Sequence, residues 1–148
     1  MASFSLTSPA FEDGGDVPAR HTCEGENVSP ELAWSGVPER TRALALIVDD
    51  PDAPRGTFTH WLAWNIAPGE EALAERGSPP VEGENDAGTT GYHGPCPPPG
   101  HGRHRYFFRL HALDAELELD HGAPRDELER ALDGHVLGTA ELVGGYER

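Results

Sequence analysis

The sequence predicts a mainly β, sandwich-like fold, and three observations carry that prediction. Gly 18 and Pro 14 punctuate a chain of 148 residues, which suits many short strands joined by turns better than a helical bundle. The apolar run ALALIV over residues 43–48 has strand length and reads as a strand covered on both faces. Strict alternation follows from His104 to Ala112. It sets His104, Tyr106, Phe108, Leu110 and Ala112 on one face and Arg105, Phe107, Arg109 and His111 on the other.

The remaining elements follow in order. Residues 3–7 alternate, with Phe4 and Leu6 inward on a short edge strand. Residues 12–31 are polar and broken by glycine and proline, hence loop. Residues 31–35 alternate again, Leu32 and Trp34 sharing a face, and Gly36 and Pro38 close them. Pro51 and Pro54 stop the apolar run abruptly. The next strand, HWLAWNI over 60–66, places His60 on the face of Leu62, Trp64 and Ile66. EEALAER, within 68–77, reads as one or two helical turns ended by Gly77, and residues 78–90 as loop. Residues 115–119 continue the central strand or form a short extension. PRDELERALD, over 124–133, is the best helix in the chain. Proline starts it, Leu128, Ala131 and Leu132 form an apolar stripe, and Gly134 can take the left-handed cap. Residues 135–146 supply a closing strand. With no internal repeat, residues 1–148 read as one domain.

Charge narrows the function. A formal net charge of −15, from 26 acidic and 11 basic residues, excludes nucleic acid as a partner, because phosphate binding needs clustered cations. Every basic residue is arginine, which a GC-rich genome explains; the acidity also suits a salty cytoplasm. The N-terminal MASFSLTSPAFEDGG lacks a signal-peptide pattern, and no apolar run approaches the ~20 residues of a membrane span. The expectation is a soluble, cytoplasmic protein. In that compartment Cys23 and Cys96, which form no CxxC motif, are expected as free thiols.

Three groups of residues could carry chemistry. Asp50 and Asp52 sit in DPDAP at the end of the buried strand; alone, this is a turn whose carboxylates bond their own backbone. His60 and His104 each begin the apolar face of a strand, and His101 adds a third imidazole. Either histidine alone is ordinary core. Together with the acids they could bind a metal or perform acid–base work. The chain lacks HExxH, Cys/His ligand spacing, a phosphate loop and a GxSxG elbow, so neither cofactor nor metal is expected. What remains is a small-ligand pocket in an all-β domain. Its charge is suggested by the 27 residues between Asp86 and Asp114, which hold no carboxylate but include Arg103, Arg105, Arg109 and four histidines. They imply a local positive field that recruits an anion. Protonated His60 and His104 would donate to it, with Asp50 and Asp52 orienting the imidazoles. Binding should then weaken as pH rises through about 6 to 7.

Four stretches resemble the phosphatidylethanolamine-binding proteins, whose animal members include the Raf kinase inhibitor protein. They are NVSPELAW, DDPDAPRGTFTHWLAWNI, GYHGPCPPPGHGRHRYFFRLHALD and GHVLGTAELVGGY, in the family's order. The bacterial and archaeal Raf kinase inhibitor-like branch is the nearest match. The resemblance implies a large central antiparallel sheet, a second smaller sheet and short helices near the C-terminus. It implies a pocket for phosphate-like head groups, with Asp50, Asp52, Pro54 and His60 on one wall and Gly94, Pro97, Pro98, His104 and Tyr106 on the other. It is compatible with a homodimer and with regulation of a kinase pathway or a protease, and names no protein partner. The runner-up reading is a hydrolase or lyase with His60 or His104 as general base. Two departures stand out. Cys96 replaces the second glycine of the family's Gly-x-Gly-Pro-Pro loop, and only five residues separate Pro54 from His60, none of them tyrosine.

Overall fold

The computed structural model describes residues 3–148; Met1 and Ala2, the start of the stretch read for a signal peptide, lie outside the described residues. Two antiparallel sheets form the architecture. The small one runs β1 (Ser5–Thr7), β2 (Leu32–Ser35) and β5 (Ala72–Leu73), in the order β1-β2-β5. The large one comprises β3 (Ala43–Asp50), β4 (Phe58–Ile66), β6 (Val81–Glu82), β7 (His104–Leu113) and β8 (Val136–Tyr146), in the order β6-β4-β3-β7-β8. Helix α1 (Arg125–Leu132) packs on the outer face of the large sheet, and a single 3-10 turn spans Ala19–His21.

Both faces of the large sheet are covered, which explains the unbroken apolar run. All eight residues of β3 are buried. Leu44, Leu46 and Val48 join Phe108, Leu110 and Leu142 in the core between the sheets. Ala45 and Ile47 join Leu62, Trp64, Leu128 and Leu132 beneath the helix. Tyr106, Phe108, Leu110 and Ala112 of β7 lie together in the inter-sheet core, as their alternation requires.

The structure departs from the sequence expectations at four places. Residues 68–77 form no helix. Leu73 instead pairs with Leu32 and closes an edge of the small sheet. A helix of one or two turns cannot recover its nucleation cost, whereas this pairing also packs Leu73 against the core. Within 78–90, Val81 and Glu82 add an edge to β4. Residues 115–119 leave the sheet after Leu113; Asn65 holds both the N–H and the carbonyl of Leu117, whose side chain enters the core under the helix.

The fourth departure matters most for the site. Two bulges interrupt the pairing of β3 with β4: Val48 opposes Trp61 while Asp49 opposes Thr59, and Leu44 opposes Ile66 while Leu46 opposes Ala63. The residue left over at the first bulge is His60. An extra residue reverses the alternation. His60 therefore does not share a face with Leu62 and Trp64, as strict alternation demanded, but turns to the side of Trp61 and Tyr106. At the second bulge Asn65 takes φ 56, and Ile66 is carried into the inter-sheet core.

Candidate functional site

The bulge at His60, the end of β3 and the start of β7 meet at one end of the large sheet. There Asp50, Pro54, His60, Pro97, Pro98, His104 and Tyr106 line a cavity of about 250 Å³, together with Ala53, Phe58, His93 and Cys96. Asp52 and Gly94 are not in its lining. A larger concavity of about 780 Å³ lies beside α1, but its cations are engaged. Arg125 pairs with Asp49 at 2.8 Å, and Arg109 with Glu141 at 3.1 Å.

Of the three histidines in the lining, His60 and His104 are held by different partners. His60 Nδ1–H donates to the carbonyl of His93 at 2.6 Å, which leaves Nε2 with its lone pair as an acceptor. Burial depresses the pKa of His60 to about 4, so the ring is neutral near pH 7. Burial thus works against the imidazolium expected at His60 as a donor to an anion: without a ligand, taking the charge out of water costs more than the His93 carbonyl and the nearby carboxylates return. His104 donates Nδ1–H to Asp50 Oδ2 at 2.6 Å, and its Nε2 meets His101 Nδ1 at 2.7 Å. Asp50, His104 and His101 thus form a continuous chain from the buried end of β3 to an exposed loop.

The two carboxylates of DPDAP part company. Asp50 is buried, accepting from His104 and, through Oδ1, from the amide of Asp52 at 2.7 Å. Asp52 reaches neither imidazole. Arg105 grips it with its guanidinium and its backbone N–H, each at 2.9 Å, and holds its carboxyl at about 2, below the usual carboxylate range. The arginines of the acid-free stretch are likewise paired on folding. Arg103 pairs with Asp16, Arg105 with Asp52, and Arg109 with Glu141. Carboxylates distant in sequence fill the gap.

Tyr106 supplies the remaining polar atom. Its hydroxyl is buried and makes no hydrogen bond of good geometry among the described residues; burial pushes its pKa up, and the charge of Asp50 and a loose hydrogen-bonding approach to that carboxylate add to the effect. A buried hydroxyl left unpaired costs about 1 to 3 kcal/mol, which makes Tyr106 the polar group of this lining with the most to gain from a hydrogen bond.

The far wall is pinned by residues that sequence reasoning missed. Gly94 N–H donates to Asn27 Oδ1 at 2.9 Å, and a Cβ at Gly94 would fall on that oxygen and on the carbonyl of His21. Glycine is required there for close approach rather than for its backbone angle. Tyr92 donates its hydroxyl to the same His21 carbonyl at 2.7 Å. Cys23 and Cys96, expected as free thiols, form a disulfide with Cα atoms 5.4 Å apart. The wall folds back on the segment around the 3-10 turn and brings them within bonding range, which no spacing 73 residues apart could reveal. His93 acts through its carbonyl, so no side-chain motif marks it. Among the described residues, no group of three or more His, Cys, Asp or Glu is arranged to hold a metal ion. No helix there is long and apolar enough to cross a membrane.

A family profile described as phosphatidylethanolamine-binding protein matches residues 7–147. The chain belongs to the phosphatidylethanolamine-binding protein family. The UPF0098 protein of Methanothermobacter thermautotrophicus is 52% identical over 151 residues, covering 97% of this chain and 99% of that relative. That of Pyrococcus abyssi is 49% identical over 149 residues, covering 95% and 84%. A crystal structure from Chlamydia trachomatis, described as a phosphatidylethanolamine-binding protein homologue, matches with a TM-score of 0.95 at 41% identity, covering 100% of this chain and 99% of that one. Escherichia coli YbcL, described as a new member of the mammalian family, matches with a TM-score of 0.93 at 34% identity over 99% of both chains. The phosphatidylethanolamine-binding protein fold thus extends over the region that holds the cavity.

Proposed function

We propose that the protein is a non-enzymatic binder of a small phosphate-bearing head group, taken in its singly protonated, monoanionic form. The observation that carries this reading is the buried, unpartnered hydroxyl of Tyr106 in the lining that also contains His60. A phosphoryl oxygen accepts from Tyr106, and a P–OH group donates to the Nε2 lone pair of His60. No arginine lines the cavity, so a dianion would meet little positive charge there and would face the Asp50 carboxylate. The proton that His60 lacks is brought by the ligand. A phosphomonoester loses that proton with a pKa near 6, so affinity falls as pH rises through that value.

The lining favours binding over catalysis. His60 Nε2 could act as a base, but the lining includes no serine or threonine, and Cys96 is held in a disulfide. Calorimetry with phosphoethanolamine tests the reading. Tyr106→Phe should weaken binding about tenfold at pH 5.5, the loss of one good hydrogen bond. Wild-type affinity in a folded Tyr106→Phe/His60→Ala variant would place any ligand elsewhere.

A further inference from the structure

The wall that closes the cavity, residues 94–99, is attached unusually. Pro95, Pro97, Pro98 and Pro99 make up most of it and have no amide N–H to donate. Beyond the Gly94 N–H bond to Asn27, its backbone is held through carbonyls: Cys23 N–H donates to Pro95 at 3.1 Å, and Arg148 Nε to Pro97 at 2.7 Å. The covalent tie is Cys23–Cys96. Cys96 both lines the cavity and is open to solvent, whereas Cys23 is half-buried. Exposed disulfides are the labile class, open to exchange with external thiols.

We propose that Cys23–Cys96 is a reducible latch that sets the affinity of this cavity; the proposal rests on the head-group reading above. In the oxidised form the disulfide ties the wall to the loop following the 3-10 turn. The wall is continuous with His93, whose carbonyl holds His60 Nδ1–H and so fixes which nitrogen of His60 offers a lone pair. A dithiol reductant opens the latch in a balanced exchange. Its thiolate attacks Sγ of Cys96, the Sγ–Sγ bond breaks, and Cys23 leaves as a thiolate. The second thiol of the reductant then displaces Cys96, giving a cyclic disulfide on the reductant and two cysteine thiols. Two electrons and two protons pass to the protein. The proline-rich wall, stiff and poor in donors, then loses its covalent anchor beside the head group. A staple remote from the cavity would alter stability alone; this one includes a lining residue.

The test measures phosphoethanolamine affinity by calorimetry on oxidised protein, on protein reduced with dithiothreitol, and after reoxidation. Hydrogen exchange at the amides of His93, Gly94, Cys96 and Gly100 is followed in parallel, and circular dichroism monitors the fold. If the reduced wall holds its binding geometry about a tenth of the time, the apparent Kd rises about tenfold and recovers on reoxidation. A Cys23→Ser/Cys96→Ser variant should match the reduced protein and ignore dithiothreitol. Unchanged exchange and unchanged affinity in fully reduced, folded protein would overturn the latch, as would global unfolding on reduction. Failure of the oxidised protein to bind would instead refute the head-group reading. The latch's effect on affinity would fall with it, whereas reduced, folded protein that binds as tightly as the oxidised form refutes the latch alone and leaves the head-group reading standing.

Discussion

His104 donates its Nδ1–H to Asp50 Oδ2 across 2.6 Å, and both side chains are buried. Two residues along, Asp52 makes a bidentate pair with Arg105 at the surface. The same residue type at nearly the same position thus does two different jobs, and mutation should separate them.

Asp50→Ala leaves the buried Nδ1–H of His104 without its acceptor inside the protein and should cost about 2 to 3 kcal/mol in chemical denaturation, the upper part of the range for a buried donor left unsatisfied. Asp52→Ala removes a solvent-screened pair and should cost less than about 1 kcal/mol. Equal losses from the two substitutions would contradict the division drawn between them.

Stability should fall as the solution is acidified from neutrality. His60 titrates at about 4 in the folded protein, so between the ordinary histidine value of about 6.5 and that value only the unfolded chain takes up the proton. The penalty is absent above about 6.5 and complete below about 4, on the order of 3 kcal/mol. His93 and His111 are shifted the same way by burial and add to the slope. Denaturation midpoints at pH 7, 5.5 and 4 check this. His60→Phe should flatten the profile; an unaltered slope in that variant would assign the effect to other groups.

Gly94→Ala should destabilise the protein by about 2 kcal/mol or more, because backbone and Asn27 crowd the position and cannot give way cheaply. Gly100→Ala, at φ 77 but with open space around its Cβ, should cost only about 1 kcal/mol, from the left-handed backbone alone. Thermal melts of the two variants distinguish steric from conformational cause.

Much of the fold is legible in the sequence because it depends on local patterns. The apolar run of β3, the alternation of β7 and the proline-started stripe of α1 each state how their residues are buried. The resemblance located the stretches that converge on the cavity, although two of the nine residues named for it, Asp52 and Gly94, lie outside the lining. Tertiary structure alone decided the rest. A bulge reverses faces without changing composition, so the orientation of His60 depended on how β4 registers against β3. The disulfide depended on a loop folding back over 73 positions. The arginines of the acid-free stretch found their partners because charge acts through space: Asp16, Asp52 and Glu141, scattered along the chain, reach Arg103, Arg105 and Arg109 once the chain folds.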